Sequence, residues 1–326
     1  MSAPAPLPPV SPPPANAPSW PRRLGPVVVA VGLVAWVLSR LDLETFAREL
    51  RHVDHALYLG FAAVFMVALL AADTFATVYI YRRTIAPIRY RDFFVLRGAS
   101  YVPSMVNHHL GQAFLTYFMA RLTGASLLRT AGATLLSYAS WAGCVLGMAA
   151  LAILLTGQPA LWLLVPLGAG VLYLVVIALR PARLANIQVL VPLFDAGIGG
   201  HVGALVTRLP HLVVLFLGTW LPFRFFGVMI PFATAVAFIP ILMVAVTLPI
   251  TPQGLGTRDV LAATFFEAYA AGGTQEERLA VLAASTTSWV VVTLLASAVI
   301  GLGLMRFAMP HIAGLGAKPP KSPEAP

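Results

Sequence analysis

Residues 248–266 read LPITPQGLGTRDVLAATFF. The stretch follows one long apolar run and leads toward another, yet it holds Pro249, Pro252, Gly254, Gly256 and the pair Arg258-Asp259. Proline removes a backbone donor and glycine weakens a helix, so an unbroken span cannot run through here. The chain is expected to unwind, expose amides and restart near Thr257 as an amphipathic helix reaching Tyr269. A broken helix whose N-terminal end points inward offers a positive dipole end to an anion. Arg258, in the first turn, adds a full charge suited to a phosphate. The competing reading is an interfacial loop in which Arg258 snorkels and Asp259 is its partner.

What surrounds this stretch decides how deep it lies. Of 326 residues, 59% are hydrophobic and 10% charged, with a mean hydropathy of +0.85. A soluble domain carries about a quarter charged residues, so most of this chain must face lipid or its own interior. The expected fold is all-α: a polytopic helical bundle of about eight spans with two broken or re-entrant segments. The formal charge of +9 does not point to nucleic acid, because the arginines cluster between apolar spans, the pattern that orients helices in a membrane. The lone cysteine, Cys144, lies in an apolar run, which excludes internal disulfides and cysteine-cluster metal sites.

Along the chain, residues 1–21 are proline-rich and read as a disordered tail, and residues 310–326 as a second one, leaving 22–309 as the membrane domain. Arg22 and Arg23 precede the first apolar run, 24–38, which lacks a cleavage signal and reads as a retained helix entering from the cytoplasm. A second span over about 56–81 leads to YRRTIAPIRYRDFFVLR (81–97), whose arginines mark a cytoplasmic loop. Residues 98–122, GASYVPSMVNHHLGQAFLTYFMARL, are too polar for a simple span and are bracketed by Arg97, Arg121 and Arg129. A segment that dips in and returns satisfies both flanks, with Pro103 and Gly111 breaking the helix. Such backbone is tolerated at membrane depth only inside protein or beside a watery cavity. Spans follow over about 130–155, 160–179, 209–229, 231–250 and 281–305, with 184–209 as a less apolar connector. Thr274-Gln275-Glu276-Glu277 reads as a capping box opening the last span.

The two irregular stretches look alike: each has a proline, a Leu-Gly pair, polar residues and an apolar restart. They are either an inverted internal repeat around a midplane site or a chance match. At these residues the chain resembles the lysylphosphatidylglycerol synthase transmembrane region, a flippase-like family. Its members carry a stretch like N-x-L-P-x-R-x-G-E-x-x-R and a later one like P-x-S-P-G-G-L-G-x-R-E. Residues 249–259 match the later motif closely, while the earlier one is matched in outline, with Gly111 in the place of its glycine. His109 and Gln112 stand where the family has Arg and Glu, and LLSYASWAG (135–143) offers Ser137, Tyr138 and Trp141 where charges are usual. No soluble aminoacyl-transferase segment is expected here, so the resemblance implies the lipid-handling half.

The expected function is an integral membrane flippase or lipid-handling transporter for a phosphate-bearing lipid, either a phospholipid or a polyprenyl-phosphate carrier. The alternative is a non-transporting partner of a lipid-modifying or glycosyltransferase enzyme. An intramembrane enzyme is not expected, since no nucleophile-base pair, metal motif or phosphate loop appears. Neither a catalytic residue nor a cofactor is called, and the location expected is a cytoplasmic membrane of bacterial type with the N-terminus inside. Headgroup contacts are expected from Arg258, Asp259, Gly254, Gly256, Gln112, His109 and Asn107. Asp73, mid-span in ALLAADTFATV, is either a relay or headgroup contact or a structural pair with an interior arginine. Glu267 lies eight residues after Asp259, about 80° away on a helix, and either shares a cavity wall with it or sits at the interface. Adjacent His108 and His109 point apart, so a metal site is not expected.

Overall fold

A computed structural model describes residues 48, 50, 51, 53–106, 108–247 and 257–314. The two tails, the first apolar run and residues 248–256 lie outside the described residues, apart from the start of the C-terminal segment, which is still helical to Gly314. Every described element is helical. In chain order these are α1 (His55–Thr84), α2 (Tyr90–Ala99), α3 (Tyr101–Val106), α4 (His108–Thr123), α5 (Leu127–Leu155), α6 (Leu164–Leu179), α7 (Ala182–Ala185), α8 (Val191–Trp220), α9 (Phe232–Thr247), α10 (Thr257–Phe266) and α11 (Gln275–Gly314). A 3-10 turn over Leu221–Phe226 extends α8.

The bundle is built on the antiparallel pair α1 and α8. Small residues set the approach: a Cβ on Gly218 would lie 1.9 Å from the Phe65 ring, and one on Gly203 1.9 Å from the Tyr79 hydroxyl. Phe65 cannot swing aside, being packed against Trp289 at 5.3 Å and stacked on Phe61. Gly218→Ala should therefore cost about 1–3 kcal/mol, read as a lower unfolding midpoint in detergent. Helix α5 runs parallel to α8, its Gly132 against Pro192 and its Gly143 against Leu205. Helix α6 is the most lipid-facing element, with Leu164, Leu167, Val171, Leu172 and Leu179 all exposed. At the other extreme, Tyr58, Phe65, Phe226 and Trp289 form a buried aromatic cluster joining α1, the 3-10 turn and α11.

Two helical hairpins interrupt this frame. In the first, α2 and α3 run in and α4 runs back. Its flanks meet, because the Arg129 guanidinium at the start of α5 donates to the Thr84 carbonyl at the end of α1, at 3.1 Å. The expected re-entrant course is thus observed, but its breaks differ from those expected. Pro103 sits in the first turn of α3, where its missing N–H is harmless. Gly111 lies inside α4, where a Cβ would meet Ser104 Oγ at 1.7 Å and the Ser100 carbonyl at 2.9 Å, so it lets the two arms touch. One break falls at Ser100; α3 is described to Val106 and α4 from His108, with residue 107 outside the described residues.

The second hairpin is α9 and α10. Phe238 stacks on Phe265 at 4.5 Å, and Met229 N–H donates to the Tyr269 carbonyl where the hairpin opens. It opens at the Trp220 end of α8, whereas the first opens at the Thr84 end of α1. Since α1 and α8 are antiparallel, the hairpins enter from opposite ends. The entry arm of each packs on the long helix that follows the other: α2 on α11, α9 on α5. This is the inverted arrangement the two similar stretches suggested.

Five helices are long and apolar enough to cross a membrane: α1, α5, α6 with its preceding 3-10 turn, α8 with its following turn, and α11. The expected count of about eight is not reached among the described residues. Of the run 231–250, the described helix Phe232–Thr247 is shorter than those five and forms the entry arm of a hairpin. The connector 184–209 is also revised, because α8 begins at Val191 and passes through Gly197 with a kink (φ 61°, ψ 178°) rather than starting near 209. The capping box opens α11 as expected: Glu277 N–H donates to Thr274 Oγ1 and the Glu277 carboxylate accepts from Thr274 N–H, both at 3.2 Å.

Candidate functional site

Two polar centres lie within the bundle, one at each hairpin. The first gathers on Asp73 of α1. Arg97 Nε of α2 donates to its Oδ2 at 2.5 Å, and Arg208 Nη1 of α8 donates to its Oδ1 at 2.6 Å. A carboxylate at this depth is costly unless paired and hydrogen-bonded, and here both oxygens are taken by guanidinium groups. Of the two readings open for Asp73, the pair with an interior arginine is realised, and twice over.

Arg208 is sealed, with its side chain 3% exposed. Its remaining donors go to Thr77, Ser137 and Ser140, so every hydrogen-bonding nitrogen of its fork has an acceptor. Arg97 uses Nη1 for Gln112 of α4 at 2.7 Å and for Ser100. Gln112 thereby ties the returning arm of the first hairpin to the entering arm. His211 Nε2 stands 3.9 Å from Asp73, and Trp141 meets the His211 ring edge to face at 6.3 Å.

Arg97 therefore overturns the expectation that it belongs to the basic loop. The loop is confined to 85–89; α2 starts at Tyr90 and carries Arg97 inward by two turns, to the level of Asp73. Ser137 and Trp141, noted because charges were missing there, are part of this centre instead. Of the other residues expected at the first hairpin, His109 is exposed, its ring 5.8 Å from His108, and Asn107 lies outside the described residues. No cluster of three or more metal-ligating side chains occurs among the described residues.

The second centre is at the restart of the second hairpin. Among the described residues α10 runs from Thr257, with Arg258 next to it, and the expected unwound stretch before it lies outside the described residues. Arg258 Nε is buried and has no hydrogen-bond acceptor among the described residues. It lines a small cavity with Thr219, Leu242, Ser285, Thr286 and Trp289, and Ser285 Oγ is likewise buried without a partner. The cavity has about 10 Å³ of room for water centres, about one molecule. Asp259 accepts a hydrogen bond from Thr286 of α11. Arg258 thus does not lie in an interfacial loop: it is held inside the bundle beside unsatisfied polar atoms. Gly254 and Gly256 lie outside the described residues.

Glu267 does not share a wall with Asp259. The helix ends at Phe266, and Glu267 starts a 3-10 turn at the open end of the hairpin. There it pairs with Arg278 at 3.0 Å and accepts from Gln275. It is the interfacial role, of the two considered, that Glu267 takes.

Arg208 is the central charged residue that sequence reading passed over. Its signal was present: a single arginine in GALVTRLPHLVVLFLG (203–218), opposite a single aspartate in another apolar run. Two lone opposite charges in separate spans are candidates for each other.

A family model described as the lysylphosphatidylglycerol synthase TM region matches residues 23–301. No curated protein and no solved structure matches the chain.

Proposed function

The chain belongs to the lysylphosphatidylglycerol synthase transmembrane-region family, and from that premise we propose that it is a lipid flippase whose cargo carries a phosphate bound at Arg258. It is an integral membrane protein tied to lipid handling, and the observation that carries the finer reading is the buried Arg258 Nε, which has no acceptor among the described residues. A buried unsatisfied donor is costly, and a charged one more so. A phosphate oxygen is an acceptor that would relieve it, and Ser285 Oγ is close enough in the same cavity to join. The cavity as it stands holds about one water, so a headgroup enters only when the α9–α10 hairpin moves against α11. Acyl chains stay in the bilayer throughout, along the exposed apolar faces.

Purified protein in vesicles containing headgroup-labelled lipid tests this. Transfer of the label between leaflets, absent from protein-free vesicles, is the expected result. Vesicles in which no anionic phospholipid or polyprenyl phosphate moves would instead favour a partner subunit of a lipid-modifying enzyme.

The arrangement also supports a sidedness. Arg82, Arg83, Arg89, Arg91, Arg129, Arg180 and Arg183 crowd the Thr84 end, against Asp92 and Asp195. By the positive-inside rule that end is cytoplasmic. Single cysteines at positions 85 and 125, with Cys144 replaced, should both react with an impermeant thiol reagent from the cytoplasmic face. Labelling of the two from opposite faces would remove both the sidedness and the hairpin.

A further inference from the structure

Helix α8 is two pieces joined at Gly197. The φ of 61° and ψ of 178° there are open to glycine and strained for other residues. A Cβ at Gly197 would touch nothing within 4 Å, so the glycine is present for its conformation and not for room. After this joint α8 is locked on α1, where Gly203 lies against the Tyr79 hydroxyl. Before it, α8 is strapped to the end of α6: Asp195 Oδ1 accepts from Arg180 Nη2 at 2.8 Å. Arg180 ends α6 in the left-handed region (φ 46°, ψ 59°), a position that glycine usually fills. What arginine adds there is the guanidinium that holds Asp195.

The joint also carries an unmade hydrogen bond. One turn after it, His201 Nδ1 lies 2.8 Å from the Gly197 carbonyl oxygen. A carbonyl only accepts, so Nδ1 carries the proton and Nε2 of the neutral ring is an acceptor. That Nε2 is buried and has no partner among the described residues, and the same holds for the Tyr173 hydroxyl of α6. The two rings meet edge to face, with centroids 5.4 Å apart. A donor and an acceptor thus stand on touching rings of neighbouring helices, both unpaired. Buried polar groups are ordinarily paired, and each of these is the kind of partner the other lacks.

We propose that α6 and the first piece of α8 swing together on Gly197 between two positions, the second latched by the Tyr173 hydroxyl donating to His201 Nε2. The position in this structure is the unlatched one. Such a swing is a hinge motion, with one glycine absorbing the backbone change. The strap reaches further, because Asp195 also lies 3.9 Å from Arg129, the residue that clasps the flanks of the first hairpin at Thr84. Moving the strap pulls on the mouth of that hairpin, which makes the latch a conformational gate for it. The gate belongs to the helices and does not depend on what Arg258 binds.

Two spin labels on the full chain, reconstituted in lipid vesicles with Cys144→Ala, read the swing as a distance. They are placed at Leu172→Cys on α6 and Phe75→Cys on α1, both exposed. Two distances are expected. Tyr173→Phe keeps the ring contact, removes the donor and should lower the latched population about fivefold, the effect of one hydrogen bond. His201→Asn should do the same, since its amide reproduces the Nδ1 bond to Gly197 but not the Nε2 acceptor. His201→Gln, whose amide oxygen reaches the place of Nε2, should keep both distances. The double variant Tyr173→Phe/His201→Asn should match either single one, because each removes the same bond.

With the α6 label moved to Leu122→Cys at the end of α4, Tyr173→Phe should shift the hairpin distance as well. Asp195→Asn, which cuts the strap, should abolish that second shift. A hairpin distance that ignores Tyr173→Phe would overturn the gate. An α6 distance that ignores Tyr173→Phe, as a water bridging the two atoms in place would leave it, would overturn the latch itself. So would a shift in Tyr173→Phe with none in His201→Asn. Lipid translocation enters none of these readings, so the Arg258 proposal and the latch can fail independently.

Discussion

Arg258→Ala is expected to reduce lipid translocation by about two orders of magnitude or more, with normal membrane abundance. The size follows from losing charge-assisted bonds at about 1.5–3 kcal/mol each. The protein should still fold, because Arg258 Nε has no acceptor among the described residues and its removal breaks no hydrogen bond at that atom. Arg258→Lys should recover only part of the rate, since an ammonium keeps the charge but lacks the planar fork that binds two phosphate oxygens. Initial rates of headgroup transfer at matched protein content check both. Equal rates for lysine and arginine, with little loss in alanine, would fit a guanidinium that only balances local charge, and would return the second hairpin to a structural role.

Arg208→Ala is expected to have the largest effect on stability, about 3–5 kcal/mol, because one partner of a buried pair is removed and the other is left behind. Asp73 Oδ1 loses its donor, and Thr77, Ser137 and Ser140 lose theirs in the same step. Three helices, α1, α5 and α8, are joined at that one side chain. Arg208→Met, which fills the volume without a charge, should not rescue it, since Asp73 remains short of one guanidinium. Combined with Asp73→Asn it should recover part of the loss. Denaturant unfolding in micelles, followed by helical signal, reads all three; a change of less than about 1 kcal/mol in Arg208→Ala would mean that the network contributes little to the fold.

Several features needed no tertiary information. Ten per cent charged residues in a chain this apolar imply a membrane bundle, since there is too little polar surface to face water. The Thr274–Glu277 cap is local chemistry and formed as written. The helix after the proline- and glycine-rich stretch is described from Thr257 onward, and residues 248–256 lie outside the described residues. The hairpin over 98–122 was expected from arginines on both flanks; Arg89, Arg91, Arg121 and Arg129 keep that exposed position, while Arg97 turns inward to Asp73.

Other features depended on partners far along the chain. Nothing within 81–97 distinguishes Arg97 from the four arginines before it; only Asp73, twenty-four residues earlier, draws it inward. The run 231–250 is apolar enough for a span, and what makes it a hairpin arm is the return of α10 against Phe238. Gly111 looked like a breaker and proved to be a contact, because its role is set by Ser104 on the opposing arm. By itself, then, the sequence determined the solvent this protein lives in and the cap that opens its last long helix. Which charges meet was decided only by the tertiary structure, because an ion pair between separate helices depends on their crossing and register, and apolar runs of similar hydropathy do not encode that locally.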